Sequence, residues 1–411
     1  MTATVRPGRN GVALGVLAVG MFTAGTAELV VVGILSLIAD DLSVSVSTAG
    51  LLVTSYALGL SLGAPLITAL TIRFSRRFML ALSLAVYLAG NAMAAVAVSF
   101  GLLMVARVIM GSVHGLFIGL AFTVAAALAP AGQQGRAMAI AFGGTAVSTV
   151  LGVPLGTLIG QAMGWRAAFF AIAILGVVAL AMTLLFIPAV RTSGTSDVRA
   201  QVRAAFVPRV LVMLGVGLLL IGGEFTAFTY IAPYLEEITG ISGSLISVFL
   251  FAYGLFCAVG VFSGGWFADR GATKTLIFAN VVLILSIGGL YLLGASPVLA
   301  AVMLAAWGLV SMGLVPSLQL RVISLAGEGG DLAATLGASA VNAGIAAGAI
   351  LGGVFVDSYG VESVLLAAMV MCLVGLPLTI LSGRLRPPTP TPAESAPAGQ
   401  DSQELAERGS R

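Results

Sequence analysis

Charge is scarce in this chain. Only 9% of its 411 residues are charged and 59% are hydrophobic, whereas an ordinary soluble domain has roughly 25% charged residues. A soluble protein of this length has too little interior to bury so much apolar surface. The natural solvent is therefore a lipid bilayer. The apolar residues form long continuous runs, which indicate membrane-spanning helices rather than the short alternating strands of a barrel.

Histidine, lysine and cysteine are also nearly absent. The single lysine, Lys274, lies in "ATKT" and lacks the preceding glycine of a nucleotide-binding loop. Cys257 and Cys372 fall inside apolar runs without CxxC spacing, so we expect buried thiols rather than a disulfide or a metal site. These shortages argue against an enzyme and predict no cofactor. The net charge of +3 argues against a nucleic-acid partner.

The apolar runs divide the chain into twelve spans. The first run continues past the small residues at 24–27, so we interpret it as an uncut helix rather than a cleaved signal. We predict an all-α membrane protein with a first six-helix half at 1–188, a cytoplasmic linker at 189–208, a second half at 209–383 and a disordered cytoplasmic tail at 384–411. The predicted spans are 11–38, 48–71, 78–98, 102–128, 137–162, 167–188, 209–234, 244–267, 275–294, 298–322, 332–356 and 361–383.

The basic residues predict the orientation of these spans. With both termini in the cytoplasm, all 19 basic residues except Arg107 and Arg166 lie in cytoplasmic segments, as the positive-inside rule requires. The opposite loops carry acids instead, among them Asp41 and Glu237. We therefore predict a multi-pass protein of the bacterial inner membrane with cytoplasmic termini, and we expect a monomer.

The two halves resemble each other. When Glu28 is set beside Glu224, the acidic pair that follows the first span falls on Glu236 and Glu237. Glu28 and Glu224 are 196 residues apart, and at an offset of 197 Gly63 is aligned with Gly260. Two pseudo-symmetric six-helix halves in parallel repeat are a transporter architecture, with the substrate site between the halves at the midplane.

Three ionised side chains are predicted deep inside spans: Glu28, Arg107 and Glu224. Intramembrane charges are rare and usually face a cavity or a partner. For Glu28 we favour a proton-binding site, because a carboxylate removed from water holds its proton near neutral pH. The alternative is a structural ion pair or hydrogen bond. Glu224 is a second proton site or a substrate contact, or else a satisfied structural group.

Arg107 and His114 lie on nearly the same face of the fourth span. Arg107 keeps its charge, so it either adjusts proton binding at Glu28 or packs against backbone carbonyls. His114 suits a proton relay, although a lone helical histidine is more often a neutral hydrogen-bonded residue. Both alternatives stay open for each residue.

Several motifs resemble those of the major facilitator superfamily. The loop motif G-x-x-x-D-R occurs after the eighth span as Gly265, Asp269 and Arg270. We predict that this pair latches helix ends together, with solvated loop charge as the alternative. After the second span the motif has Ile72 in place of the aspartate. Its basic residues there are Arg73, Arg76 and Arg77.

The fourth and fifth spans extend the resemblance. Arg107 and Gly111 match the arginine–glycine motif of the fourth helix. The antiporter motif of the fifth matches Gly152, Pro154 and Gly156, with the proline one place later than usual. We expect these small residues to slide against the other half, or simply to pack closely. The chain is most similar to drug:proton antiporters, including actinobacterial chloramphenicol-resistance exporters, which implies a twelve-helix major facilitator fold.

Because the spans contain so few charges, we expect an apolar cavity that suits neutral amphiphiles. Without a nucleotide-binding loop, the energy must come from an ion gradient. The composition thus predicts proton-driven transport of a small amphiphile. The resemblance to drug:proton antiporters implies that this substrate is exported and is a drug such as chloramphenicol. A sugar, nucleoside or purine permease working in either direction is the alternative, and a channel or receptor is more distant. Candidate cavity residues are Phe22, Tyr56, Phe117, Phe225, Tyr230, Tyr253, Trp307 and Asn342.

Overall fold

The structure, a computed structural model, describes residues 7–71, 74–129, 134–188, 206–327 and 330–387. Over these ranges the chain has twelve helices long and apolar enough to cross a membrane, so the predicted number of spans and the all-α fold are confirmed. In chain order they are α1 Asn10–Gly33, α2 Val46–Gly63, α3 Arg76–Ala95, α4 Phe100–Leu128, α5 Ala137–Met163, α6 Trp165–Phe186, α7 Pro208–Glu237, α8 Ser244–Ala268, α9 Arg270–Leu293, α10 Pro297–Ala326, α11 Leu336–Tyr359 and α12 Ser363–Ser382.

Serine caps begin three of these helices. The hydroxyls of Ser45, Ser75 and Ser99 each accept a hydrogen bond from a backbone N–H three residues later, at the starts of α2, α3 and α4. The first N–H groups of a helix have no partner within the helix itself. The three serines supply such a partner and so fix the first turn of each of these helices.

The first helix of each group of six breaks at an equivalent point. Helix α1 ends at Gly33 and a short helix, Leu35–Asp41, follows. In α7 the helical segment Pro208–Phe228 is followed by Ile231–Glu237. The residues at the two breaks have nearly the same backbone angles: Ile34 has φ −119° and ψ 17°, and Tyr230 has φ −110° and ψ 17°. The shared break agrees with the internal repeat of the sequence.

Two helices of the first group contain π-helical turns. The turn Gly59–Gly63 lies in α2, which continues as Ala64–Thr71, and the turn Ser148–Gly152 lies in α5. Pro154 follows the second turn at the start of Val153–Met163. Because proline has no N–H to donate, it disturbs the helical ladder before it, and such disturbances are often taken up by a π turn.

The first six and last six helices meet through α2 with α11 and through α5 with α8. On the side of the membrane away from the chain termini, the Ser36 hydroxyl donates to Glu236 Oε2 at 2.6 Å. The Tyr230 hydroxyl donates to the Ala349 carbonyl at 2.9 Å and lies against Gly50 of α2. These contacts close the seam between the two groups on that side.

Cys257 and Cys372 are free and buried, as predicted. Among the described residues, no group of three or more His, Cys, Asp or Glu side chains is placed to hold a metal ion. Most of the predicted linker and tail, residues 189–205 and 388–411, lies outside the described ranges. The division into halves, linker and tail therefore remains a prediction.

Candidate functional site

Glu28 lies in α1, where its side chain is 20% exposed while its neighbours Ala27 and Leu29 are buried. Its carboxylate Oε2 lies 3.6 Å from Nδ1 of His114 in α4. Within the described residues, His114 is the one basic side chain that approaches this carboxylate within 4 Å. The structure thus brings together two of the predicted proton-coupling residues and leaves the carboxylate partly accessible.

Two tyrosines connect this pair to α1. His114 Nδ1 lies 2.8 Å from the Tyr56 hydroxyl, which lies 3.3 Å from the Tyr87 hydroxyl. Tyr87 donates its proton to the Ala24 carbonyl at 2.9 Å, so the Tyr56 proton is available to His114. Nδ1 carries either one proton or one lone pair, according to the tautomer of the ring, so it can form a hydrogen bond with Tyr56 or with Glu28 but not with both at once. Proton binding at Glu28 is therefore coupled to the orientation of Tyr56.

Arg107 is fully buried and bonds to backbone carbonyls. Its Nε donates to Leu52 O at 3.0 Å, its Nη1 to Ala27 O at 2.6 Å and its Nη2 to Glu28 O at 2.9 Å. Its Cζ lies 4.2 Å from the ring centroid of Tyr56. Of the two alternatives open from the sequence, the structure therefore shows the carbonyl contacts. The guanidinium holds α1, α2 and α4 together next to the Glu28 side chain.

The second carboxylate has a different environment. Glu224 of α7 is buried, and its Oε1 accepts hydrogen bonds from the Tyr253 hydroxyl at 3.0 Å and from the Ser311 hydroxyl. Its Oε2 is buried without a partner among the described residues. An ionised carboxylate without a cation is costly in such surroundings. The arrangement suits a carboxyl group that keeps its proton while the protein holds this conformation.

The two carboxylate sites are related by the internal repeat. Tyr56 contacts the first site from α2, and Tyr253 contacts the second from α8 at the equivalent position. His114 of α4 corresponds to Ser311 of α10. The first site therefore has a titratable side chain where the second has a hydroxyl. Ser311 was missed by the sequence analysis, although extending the repeat from Glu28 and Glu224 to the fourth helix of each half would have found it.

Glycines allow the close approach of the helices that carry these tyrosines. A Cβ added at Gly111 would collide with the carbonyl of Tyr56, and one at Gly308 would collide with the carbonyl of Tyr253. The predicted packing role of Gly111 is confirmed. Tyr87 of α3, the other residue missed from the sequence, gave no signal because a single tyrosine in an apolar span is ordinary.

The predicted cavity aromatics fall into separate groups. Phe225, Tyr253 and Trp307 belong to one cluster around Glu224, in which Phe228 stacks on Tyr253 with ring centroids 4.6 Å apart. The indole Nε1 of Trp307 is buried without a hydrogen-bond partner among the described residues. The rings of this cluster are buried and pack against one another.

The remaining candidates lie elsewhere. Phe22 is half-buried on α1. Phe117 packs its ring against Gly20 inside an apolar cluster of the first six helices, and Tyr230 lies at the seam described above. Asn342 of α11 donates to Ala338 O in its own helix at 3.0 Å, and its Oδ1 is buried without a partner in the described chain.

We predicted that the antiporter-motif glycines of α5 face the other half, but in the structure they face α1. A Cβ at Gly152 would meet Thr26, and one at Gly156 would meet Val30. Contact with the other group of helices is made instead by Gly254 of α8, where a Cβ would collide with the carbonyl of Thr149. The prediction of a contact with the other half was therefore wrong for Gly152 and Gly156, whereas Pro154 of the same motif does lie at the contact between α5 and α8. Glycines on one helical stripe face a single neighbour, and here that neighbour is α1.

The loop-motif arginines contact their surroundings in different ways. Arg73 lies outside the described residues, as does the side chain of Asp269, so the predicted latch is untested. Arg77 of α3 donates to the carbonyl of Leu184 in α6, while Nε of Arg76 is buried without a described partner. The guanidinium carbon of Arg270, the first residue of α9, lies 3.3 Å from the centroid of the Trp266 ring near the end of α8. Nothing lies within 4 Å of a Cβ built at Gly265.

Residues 17–337 match the family described as the Major Facilitator Superfamily. The chain belongs to this superfamily. It is 39% identical over 353 residues to the uncharacterized MFS-type transporter YtbD of Bacillus subtilis (strain 168), covering 85% of this chain and 89% of that protein. It is 35% identical over 342 residues to a chloramphenicol resistance protein of Streptomyces lividans, covering 82% of this chain and 87% of that one.

A solved structure shows the same fold. A bacterial homolog of the human lysosomal transporter Spinster, in an inward-facing and unoccupied conformation, superposes with a TM-score of 0.78 at 14% identity and covers 94% of this chain and 100% of that one. At such low identity the likeness concerns the fold alone. As a member of the superfamily, the chain is a multi-pass membrane transporter rather than an enzyme.

Proposed function

We propose that this transporter exports a small neutral amphiphile such as chloramphenicol in exchange for protons, with Glu28 as the proton-binding residue. The observation that carries the proposal is the position of Glu28: a partly exposed carboxylate inside a membrane-spanning helix, 3.6 Å from the single histidine. Intramembrane carboxylates of this kind mark proton relays in transporters. The protein would lie in the bacterial inner membrane as a monomer with both termini in the cytoplasm.

The contrast between the two carboxylates supports the choice of Glu28. Glu224 is 1% exposed and its Oε1 accepts from two hydroxyls, so a proton exchanged there would have to cross a closed environment. Glu28 is more accessible and has the histidine beside it. Arg107 bonds to the backbone on which Glu28 is carried, so its positive charge favours proton release without forming a direct ion pair.

The substrate class rests on the lack of charge and on a relative. Apart from Glu28, Arg107 and Glu224, the central parts of the spans carry no Asp, Glu, Lys or Arg. The aromatic cluster at Glu224 combines apolar rings with a few polar groups, which is the composition of sites that bind neutral drug-sized ligands. A relative covering most of the chain is a chloramphenicol resistance protein.

The test replaces Glu28 by Gln, which keeps the size of the side chain but cannot release a proton. In liposomes, E28Q should still exchange labelled chloramphenicol across the membrane but should no longer accumulate it against a gradient when a pH difference is imposed. Proton release on adding substrate to detergent-solubilised protein should disappear with the same substitution.

E224Q is the matched control, because it makes the same change at the equivalent position of the second half. We expect E224Q to keep pH-driven accumulation at saturating chloramphenicol, because a change at the substrate-binding cluster alters KM and not the coupling to protons. If E28Q kept full accumulation while E224Q lost it, coupling would belong to the second half. If ATP depletion at a constant proton gradient stopped export by the wild-type protein, proton-driven transport would be refuted.

A further inference from the structure

A groove of about 420 Å³ lies between α3, α5 and α6 on the surface of the first six helices. Its walls are apolar and include Met163 of α5 and Phe170 and Ile174 of α6. These three side chains are 76%, 59% and 57% exposed, and because they belong to membrane-spanning helices, they face lipid. The groove follows α6 from Arg166 to Ile174, a rise of about 12 Å along the helix axis. It can therefore hold the upper part of one acyl chain.

The end of this groove nearest the membrane surface carries an ion pair. Arg166 lines the groove close to the start of α6, and its Nη1 donates to Oδ2 of Asp41 at 2.6 Å. The side chains of Arg166 and Asp41 are 39% and 46% exposed. Arg166 Nε and Asp41 Oδ1 form no hydrogen bond with any described residue. A positive and a negative side chain, both partly exposed, thus lie side by side at the end of an apolar groove.

Neighbouring groups hold both charged side chains in place. Arg166 Nη2 donates to the Ala97 carbonyl at 2.9 Å, and Arg166 Cζ lies 4.2 Å from the centroid of the Trp165 ring. Trp165 Nε1 donates to Asp41 Oδ2 at 3.1 Å, so the carboxylate is oriented as well. A ligand that binds this pair would order few side chains, which lowers the entropic cost of binding.

From this geometry we propose that the groove binds one phosphatidylethanolamine molecule from the leaflet away from the chain termini. An acyl chain lies along α6, the phosphate contacts Arg166 and the ammonium contacts Asp41. This headgroup is zwitterionic and so matches a pair of opposite charges. A guanidinium binds phosphate oxygens, and a carboxylate accepts hydrogen bonds from an ammonium. Each side chain of the pair therefore gains a partner of opposite sign.

Other common headgroups fit the pair less well. The quaternary ammonium of phosphatidylcholine has no N–H to donate to Asp41, and the glycerol headgroup of phosphatidylglycerol has no cation. An anionic lipid would also place its phosphate near the Asp41 carboxylate without a compensating positive group. The groove lies within the first six helices and not at the seam with the last six, so the lipid is a bound component of the protein and not its transported cargo.

The test is native mass spectrometry of the purified protein, titrated with phosphatidylethanolamine, phosphatidylcholine and phosphatidylglycerol of identical acyl chains. We expect the wild type to bind phosphatidylethanolamine about fivefold more tightly than phosphatidylcholine, as the gain of one exposed ion pair implies. D41N removes the carboxylate charge at constant size and should abolish this preference. D40N is the matched control, because Asp40 is exposed and forms no ion pair with a described residue. D40N should keep the preference.

A second variant tests the groove itself. Ala171 lines the groove on α6, so A171F fills it and should remove the tightly bound lipid. If A171F bound the lipid as the wild type does, the groove would not be the site. If A171F failed to fold, the comparison of D41N with D40N would decide the proposal.

Two results would overturn the choice of headgroup. If the wild type bound phosphatidylethanolamine and phosphatidylcholine equally, or if D41N kept the preference, the contact between ammonium and Asp41 would be refuted. If phosphatidylglycerol bound most tightly, the site would be one for an anionic lipid and the proposal would be wrong. The lipids are compared on the same variant, so a change in protein stability does not imitate these results, and none of them bears on drug export.

Discussion

Replacing Arg107 by Lys separates the contribution of its positive charge from the contribution of its hydrogen bonds. Lysine keeps the positive charge inside the membrane but offers one compact ammonium group in place of the planar guanidinium. In the structure three nitrogens of Arg107 donate to three carbonyls on two helices. An ammonium at the end of a shorter side chain can keep about one of these contacts. If the charge alone matters, R107K should behave like the wild type.

The expected loss follows from the contacts. Two hydrogen bonds from a charged donor are removed, each worth about 1.5–3 kcal/mol. The carbonyls of Ala27 and Glu28 lie inside α1 and keep their helical donors, so the lower end of that range applies. We expect R107K to destabilise the protein by about 3 kcal/mol. Proton-coupled transport should fall as well, because the segment carrying Glu28 loses its anchor.

The two cysteines make the measurement direct. Cys257 and Cys372 are buried, so a thiol-reactive fluorophore labels them as the protein unfolds on heating in detergent. R107K should react at a clearly lower temperature than the wild type. R166K is the control, because Arg166 is 39% exposed and paired with Asp41, and an exposed pair contributes little. If R107K and R166K unfolded at the same temperature and R107K transported normally, the anchoring role would be refuted.

Three further predictions follow. G254A should push α8 away from α5, because the added Cβ collides with the backbone carbonyl of Thr149, which cannot rotate aside. Distances between spin labels on α5 and α8 should therefore lengthen. G265A is the control, because a Cβ there meets open space on the same helix and should leave these distances unchanged. D41N should lower the melting temperature slightly at pH 7. Hydrogen bonds donated by Arg166 and Trp165 hold the pKa of Asp41 below its usual value. The stabilisation that Asp41 contributes is therefore present above its unfolded-state pKa and is lost as pH falls through its folded-state pKa. The melting temperatures of D41N and the wild type should become equal in acid, and a difference independent of pH would contradict the pairing. Reporters fused at Arg384 and Glu237 should be cytoplasmic and external respectively, and an external signal at Arg384 would reverse the orientation.

The spans could be predicted because the bilayer fixes the length and composition of any helix that crosses it. Glu28 and Glu224 could be found for the same reason, since a carboxylate inside an apolar run is conspicuous. Tyr87 could not, because neutral polar residues are common in spans and only the packing of α3 brings it to the first carboxylate. Ser311 is equally inconspicuous on its own, and only the repeat, extended from His114, points to it.

The partner of Arg107 could not be predicted either. It bonds to backbone carbonyls, and every residue has one, so the sequence carries no mark of which carbonyls are chosen. For a similar reason the sequence did not show which helix the glycines of α5 contact. The sequence shows which residues of that helix are small, but the direction in which Gly152 and Gly156 face depends on the rotation of the helix in the fold, and here they face α1.

The carbonyl anchoring of Arg107 has an electrical consequence. No acidic side chain in the described chain lies within 4 Å of its guanidinium. Its full positive charge therefore stays within the membrane-spanning part of the protein throughout the proposed cycle. With Glu28 ionised the two charges cancel, and with Glu28 protonated the centre carries one net positive charge. Exchange of one proton for neutral cargo moves one positive charge inward per cycle, and because the Arg107 charge is constant, this charge crosses in the step in which Glu28 is protonated. The transfer gains about 2.3 kcal/mol per 100 mV of membrane potential. The transporter would be electrogenic, and voltage alone would sustain export when the pH is equal on both sides.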